Sequence, residues 1–306
     1  MHVHASHSHS GRVLQRHDLG RLLKVSTILT LLFVGLALAA GYYAHSLALI
    51  SEAWHNFSDT LALLLSWFAV YVQGRPPDAV KTFGYHRAGV LAAFVNAVTL
   101  VGISLYIFYE SYQRLLNPPA VHAGVMMAVA VVGLALNAGI SAALLRSAKG
   151  DVNIRSAFVH MVGDALGSGG VLLGALLIHL TGIQAIDPLL SILIGGLILW
   201  TSWDIIQEAL NILLEGLPRG MTLEQLTAAM KEIPGVVDVH DLHVWTLGAQ
   251  MHALSCHIRI ADIPPSESEQ ILRQVNQRLD DQFHISHTTI QFDHETCKDQ
   301  CPVSRT

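Results

Sequence analysis

The sequence predicts an α-helical polytopic membrane protein with six transmembrane helices, followed by a C-terminal cytoplasmic α+β domain. Three observations predict this fold class. The chain has 306 residues, of which 52% are hydrophobic and only 13% are charged. Six apolar segments are long enough to cross a bilayer of about 30 Å, and the composition becomes that of a soluble protein after the sixth. The formal charge of −5 does not indicate a nucleic-acid-binding protein, and three cysteines are too few for a disulfide framework.

The six predicted spans lie near residues 24–44, 47–73, 87–112, 121–145, 156–180 and 186–210. Their orientation follows from the Lys and Arg residues of the short loops, which collect on the cytosolic side of a membrane. Ten of these residues lie in the N-terminal arm and in the second and fourth loops, whereas the other three loops hold only Arg114. Both termini are therefore predicted to be cytoplasmic. We expect a multi-pass protein of a cell membrane, the inner membrane of a bacterium.

Two spans carry the same pair of ionisable residues. The second span holds His55 and Asp59, and the fifth holds His160 and Asp164. Residues four apart share one face of an α-helix, so each pair directs an imidazole and a carboxylate to one point. An ionisable side chain at the bilayer centre costs about 2.5–3.5 kcal/mol, which favours a functional role over interhelical hydrogen bonding alone. Because the two spans run in opposite directions, the four side chains predict one tetrahedral N/O site of the kind that zinc prefers.

The same four atoms would also bind protons. A divalent cation requires neutral imidazoles and ionised carboxylates, and the unperturbed pKa of histidine, about 6.5, makes exchange of metal for protons feasible near neutral pH. Mixed nitrogen and oxygen ligands favour Zn²⁺, with Cd²⁺ and Co²⁺ as alternatives. Glu52 lies three residues before His55 on nearly the same face, either as a relay or exit group or as a structural hydrogen-bond partner.

The soluble region is predicted to form an αββαβ domain of the ferredoxin-like kind. Its predicted elements are a helix at 222–232, strands at 236–246 and 251–260, a helix at 266–282 and a strand at 287–293. Ser266 is the expected N-cap of the second helix. Cys256 is expected to be a small core residue.

A second metal site is predicted on this domain. Strand alternation places His257 and Asp293 on one polar face, where a histidine from the first strand could join them. Alternation slightly favours His243 over His240 for that position. The alternative is that these histidines are solvated and bind no metal.

Four stretches resemble the cation diffusion facilitator family, in its zinc- and cadmium-exporting branch. They are Ser46–Asp59 (SLALISEAWHNFSD), Phe83–Arg87 (FGYHR), His160-x-x-x-Asp164 and Val239–Trp245 (VHDLHVW). The likeness extends from about residue 22 to residue 295. It implies a homodimeric secondary active transporter, not an enzyme, which exports Zn²⁺ from the cytosol in exchange for protons by alternating access. Its implied partners are divalent metal ions, protons and the lipid bilayer, and no organic cofactor is expected.

The resemblance also implies roles for individual residues. The implied transport ligands are His55, Asp59, His160 and Asp164. The implied ligands of a structural or regulatory zinc ion in the cytoplasmic domain are His240, His257 and Asp293, which favours His240 where alternation favours His243. Gln270 and Gln291 stand where some relatives have further ligands, so at most one ion per chain is expected there.

The sequence thus divides into four predicted regions. They are a flexible His-rich arm (1–21), a six-helix transmembrane domain (22–215), a cytoplasmic metal-binding and dimerisation domain (216–295) and a tail (296–306). Cys297 and Cys301 of the tail either add thiolate ligands or are inert.

Two other functions fit parts of the pattern. A membrane zinc sensor would bind the ion without transporting it, and a zinc flux assay would separate it from a transporter. An intramembrane zinc hydrolase would need an open coordination position and a nearby general base. The sequence has no His-Glu-x-x-His motif and no spare carboxylate near the ligands beyond Glu52.

Overall fold

The computed structural model describes residues 10–147, 152–248 and 251–294. The first nine residues of the predicted arm, the loop around Lys149 and the tail with Cys297 and Cys301 lie outside the described residues. The helices of the described chain are α1 (Ser10–Tyr43), α2 (Leu47–Gln73), α3 (Ala88–Leu116), α4 (Ala123–Ser147), α5 (Val152–Thr181), α6 (Ile186–Leu213), α7 (Leu223–Lys231) and α8 (Pro265–Phe283). The strands are β1 (Asp238–Gly248), β2 (Met251–Arg259) and β3 (Ile285–Asp293).

Within the described residues, five helices are long and apolar enough to cross a membrane. Their candidate spans are Val25–Tyr43, Ala88–Leu116, Ala123–Leu144, Phe158–Thr181 and Ile186–Leu213. Helix α2 is not among these five, and the polar residues Glu52, His55, Asn56 and Asp59 lower its mean hydropathy. The predicted count of six spans is therefore supported for five helices. Large apolar side chains are exposed on the helix surfaces, for example Leu32, Leu173, Leu193 and Trp200, as expected of surfaces that face lipid.

The chain divides into two compact units. The first consists of Met1–Leu64 and Val98–Trp203, and the second of Leu65–Ala97 and Asp204–Thr306. The core of the first unit contains mostly small and aliphatic side chains from α1, α2, α4 and α5, including Phe33, Ala48, Ala53, Met126 and Ala175. Gly133 of α4 permits close helix packing, because a Cβ atom there would lie 2.6 Å from Phe33 and 2.9 Å from the Ser168 hydroxyl.

The N-terminus of α2 is fixed by a buried carboxylate from the start of α6. Asp187 accepts hydrogen bonds from the Ser46 hydroxyl (2.6 Å) and from the backbone N–H groups of Leu47 (2.8 Å) and Ala48 (3.3 Å). Ser46 is itself the N-cap, since its Oγ accepts the backbone N–H of Leu49. These contacts satisfy three of the four N–H groups that a helix start leaves unpaired.

The second unit contains a three-stranded sheet in the order β1-β2-β3. Strand β1 is antiparallel to β2, and β2 is parallel to β3, with α8 in the crossover connection. The buried core between the sheet and its two helices includes Leu226, Met230, Leu254, Ile258, Val275 and Leu279. The predicted N-cap at Ser266 is wrong. Helix α8 begins at Pro265, whose fixed φ suits the first helical position, so Ser266 lies within the first turn.

Candidate metal centres

Four ionisable side chains meet between α2 and α5 in the first unit. His55 Nε2 lies 3.5 Å from Asp59 Oδ2 and 3.9 Å from Asp164 Oδ1. His160 Nε2 lies 3.6 Å from Asp59 Oδ2 and 3.7 Å from Asp164 Oδ2. The four residues predicted as transport ligands therefore occupy one place, and each imidazole contacts both carboxylates.

These distances suit a shared cation better than they suit hydrogen bonds. Hydrogen bonds between nitrogen and oxygen are usually about 2.7–3.2 Å long. Zinc bonds of about 2.0–2.1 Å in a tetrahedron separate neighbouring ligand atoms by about 3.3–3.5 Å. Asp59 Oδ2 is buried and has no hydrogen-bond partner among the described residues. The donor set can thus hold a divalent cation after small side-chain movements.

The four side chains are not equally enclosed. Asp164 is 4% exposed in its side chain, whereas His160 is 42% exposed. His55, Asp59 and Asp164 each offer a ligand atom within 4.8 Å of the other two, and His160 stands outside this closer group. One side of the site is therefore buried, and His160 lies at its exposed edge.

A second group of potential ligands lies on the sheet of the second unit. His257 Nδ1 lies 2.8 Å from Asp293 Oδ2, and His240 Nε2 lies 3.4 Å from the same oxygen. The two imidazole rings have centroids 5.3 Å apart, and their ligand atoms and that of Asp293 all lie within 4.8 Å of one another. His240 Nε2 is buried without a hydrogen-bond partner in the described chain. Two imidazole nitrogens and a carboxylate fit zinc.

The prediction from alternation that His243 belongs to this group is wrong. His243 Nε2 instead lies 3.1 Å from Asp241 Oδ1. Asp241 has a φ of 50°, and the pairing of β1 with β2 shifts register between His240 and His243. A bulge of this kind reverses the side-chain parity of a strand, and His240 consequently pairs directly with His257.

Neighbouring groups prepare Asp293 to bind a cation. Burial opposes its ionisation, but hydrogen bonds from Gln291 (3.0 Å) and His257 outweigh this effect and lower the pKa of Asp293 below its ordinary value. The carboxylate is thus held in the ionised form that a metal requires.

Cys256 faces the opposite side of the sheet, where burial raises the pKa of its thiol to about 12. It is therefore an inert core residue, as predicted.

Asp187 is a structural residue that the sequence predictions overlooked. It is 0% exposed and organises the start of the helix that carries His55 and Asp59. The guanidinium of Arg114 lies 4.0 Å away and supplies a counter-charge. The sequence did contain a signal for this role, an Asp-Pro pair at the start of an apolar segment. A carboxylate within a membrane-spanning segment needs a polar or charged partner.

The chain matches two family models in succession. Residues 23–214 match the cation efflux transmembrane domain, and residues 218–295 match the cytoplasmic domain of cation efflux proteins. The family consists of metal cation efflux transporters and not of enzymes, so the predicted resemblance and transporter class are confirmed. The sensor and hydrolase alternatives gain no support.

Curated relatives align over nearly the whole chain. The zinc transporter ZitB of Shigella flexneri is 39% identical over 295 residues, which are 95% of this chain and 93% of the relative. The metal cation efflux system protein CzcD of Cupriavidus metallidurans is 38% identical over 297 residues, 96% and 92% of the two chains. A cadmium, cobalt and zinc/H(+)-K(+) antiporter of Bacillus velezensis is 34% identical over 291 residues, 94% and 91% of the two chains. This chain is therefore a membrane-embedded member of the cation efflux family.

Proposed function

We propose that this protein exports Zn²⁺ from the cytosol, with Cd²⁺ and Co²⁺ as alternative cargoes, by alternating access at a site formed by four residues. These ligands are His55, Asp59, His160 and Asp164. The observation that carries the proposal is the reciprocal geometry of the site, in which each imidazole contacts both carboxylates at 3.5–3.9 Å. Two nitrogen and two oxygen donors favour zinc over cations that prefer oxygen alone.

Proton exchange follows from the chemistry of these ligands. The cation and protons compete for the same nitrogen and oxygen atoms, so a site that opens alternately to each side exchanges one for the other. Export uses an inward-open state that binds the ion and an outward-open state in which protonation releases it. The Bacillus velezensis relative is named as an antiporter, which supports this coupling.

We also propose a resident zinc ion in the cytoplasmic domain. His240, His257 and Asp293 would hold it, and when bound it would cross-link the three strands that carry these residues. Together with the family match to the cytoplasmic domain, this favours a homodimer in which zinc stabilises the cytoplasmic part. The order α7-β1-β2-α8-β3 favours a ferredoxin-like class for this domain.

The proposed placement in the membrane has α2 as a sixth span and both termini in the cytosol of a bacterial cell. The Lys and Arg distribution supports it. The proposed regions are the arm at 1–21, the transmembrane domain at 22–215, the cytoplasmic domain at 216–295 and the tail at 296–306.

Zinc flux in reconstituted vesicles tests the proposed site. Purified protein in vesicles that contain a zinc-sensitive dye should transport zinc when a pH gradient is imposed, and collapse of the gradient should slow the flux. His160→Ala should reduce the flux to the level of empty vesicles. His179→Ala, which changes an exposed histidine of the same helix, is the matched control and should transport normally. Normal flux by the His160 variant would contradict the proposal.

A further inference from the structure

Glu52 is an ionisable residue of α2 that the proposed transport cycle leaves without a role. It is 5% exposed and lies three residues before His55, on the side of the ligands that is nearer to the α1–α2 turn. Its sequence neighbours Leu49, Ile50 and Ala53 belong to the buried apolar core. Burying a carboxylate in such surroundings costs free energy, so its presence favours a functional role over a purely structural one.

The partner of Glu52 lies on the helix that carries the other two ligands. The Ser168 hydroxyl donates a hydrogen bond to Glu52 Oε1. Because Ser168 follows Asp164 by four residues, this contact lies one helical turn beyond the contact of His55 with Asp164. Three successive contacts therefore join α2 and α5: Asp59 with His160, His55 with Asp164, and Glu52 with Ser168.

The spacing of these contacts suits transfer of an ion. Three or four residues of helix correspond to about 4.5–6 Å along the axis. A cation that leaves the carboxylate of Asp164 thus meets the carboxylate of Glu52 after one short step. Positive charge is expected to collect on the other side of the protein, in the cytosolic loops, so this step leads toward the predicted exit.

We propose that Glu52 is a relay ligand on the exit path, which takes the cation from His55 and Asp164 as it leaves the four-ligand site. This inference rests on the proposed transport function. A metal–oxygen bond to Glu52 forms as the bond to Asp164 breaks. Ser168 holds the carboxylate between transfers through its hydroxyl. An interhelical hydrogen bond alone would need only a neutral side chain at position 52.

A comparison of Glu52→Gln with Glu52→Asp separates the relay from a structural contact. Glutamine keeps the size of the side chain and can accept the Ser168 hydrogen bond, but it binds cations poorly. We expect Glu52→Gln to lower the maximal zinc flux at least about 10-fold while half-saturating zinc and the melting temperature stay within about twofold and 2 °C of wild type. Glu52→Asp, which retains the charge, should recover part of the flux.

Two serine variants serve as matched controls. Ser168→Ala removes the hydrogen bond and retains the carboxylate, so its flux should fall less than that of Glu52→Gln. Ser51→Ala removes a buried hydroxyl beside Glu52 that bonds to the backbone of its own helix, and its flux should match wild type. Wild-type flux in Glu52→Gln, or an equal loss of flux and stability in Ser168→Ala and Glu52→Gln, would overturn the relay.

The same assay distinguishes failure of the relay from failure of the transport site. If only the relay is wrong, Glu52→Gln transports like wild type while Asp164→Ala is inactive. If the transport site is wrong, Asp164→Ala itself binds and transports zinc. Equilibrium zinc binding by Glu52→Gln, measured by calorimetry on the full chain, should match wild type, because the four-ligand site is intact.

Discussion

Between α2 and α5, the imidazole nitrogens of His55 and His160 each lie 3.5–3.9 Å from a carboxylate oxygen of Asp59 and of Asp164. On the sheet, by contrast, His257 and Asp293 are already joined by a 2.8 Å hydrogen bond. The helical donors can separate if α2 and α5 move relative to each other. The sheet donors are fixed by pairing of β1 and β3 with β2. His240, for example, stands directly opposite His257 in that register.

This difference relates the scaffold of each site to the task that we propose for it. A transport site must release its ion, so ligands on separate helices are suitable because a rigid-body movement changes their separation. A structural site must retain its ion, so ligands on a hydrogen-bonded sheet are suitable because little ordering is needed on binding. Changes at the first site should therefore abolish transport, and changes at the second should only modulate it.

The largest effect is expected from loss of charge at the membrane site. Asp164→Asn retains the size of the side chain but removes a negative ligand. We expect zinc flux to fall at least about 100-fold, because even partners outside the ligand set change metal affinity by about 10–100-fold. Gel filtration should show unchanged assembly. Substantial zinc flux by this variant, measured in dye-loaded vesicles, would show that Asp164 is not a ligand of the transport site.

The next effect concerns the anchor of α2. Asp187→Asn weakens a carboxylate that accepts three hydrogen bonds at the start of the ligand-bearing helix. We expect a loss of about 1–3 kcal/mol in stability, the usual cost of leaving buried donors unsatisfied, seen as a lower melting temperature. Asp204→Asn changes an exposed carboxylate of α6, the helix that also carries Asp187, and should have almost no effect. Equal melting of both variants would show that Asp187 does not anchor α2.

A smaller effect on transport is expected from the sheet site. His257→Ala should remove one tightly bound zinc per chain and reduce flux by about 5–10-fold, near the lower limit of typical coupling between distant sites. Zinc content by mass spectrometry and flux in vesicles check both parts. His252→Ala, another histidine of β2, is the matched control. Complete loss of flux in the His257 variant would mean that the two sites are not functionally distinct.

The smallest effect tests whether the sheet is already formed without metal. Burial and the raised pKa of Cys256 predict that its thiol resists labelling at pH 8. In a Cys297→Ser/Cys301→Ser background, labelling should stay slow both with and without a zinc chelator, while the denatured chain should react at once. Rapid labelling after chelation would show that the sheet opens when metal leaves.

The convergence of these four side chains could be predicted because its signal in the sequence is local. His55 with Asp59, and His160 with Asp164, each share one helical face, and opposite directions of two helices suffice to bring the pairs together. The element order of the second unit was also predictable from its apolar pattern. These predictions required regular geometry alone.

Other features depend on departures from regular geometry. The choice between His240 and His243 is determined by the bulge at Asp241, where a positive φ shifts the strand register. Alternation assumes an unbroken strand and therefore selected the wrong histidine. The role of Asp187 depends on a contact with Leu47, 140 residues away in the sequence, which a local pattern cannot reveal.

The four-residue cation site is tested most directly by zinc X-ray absorption on the His257→Ala/Asp293→Ala protein loaded with one zinc per chain. We expect four nitrogen or oxygen ligands at about 2.0–2.1 Å, two of them imidazoles. This signature should disappear when His160→Ala and Asp164→Ala are added. A spectrum that is unchanged by these additions, or one with six oxygen ligands and no imidazole, would contradict the assignment of the four residues as the cation site.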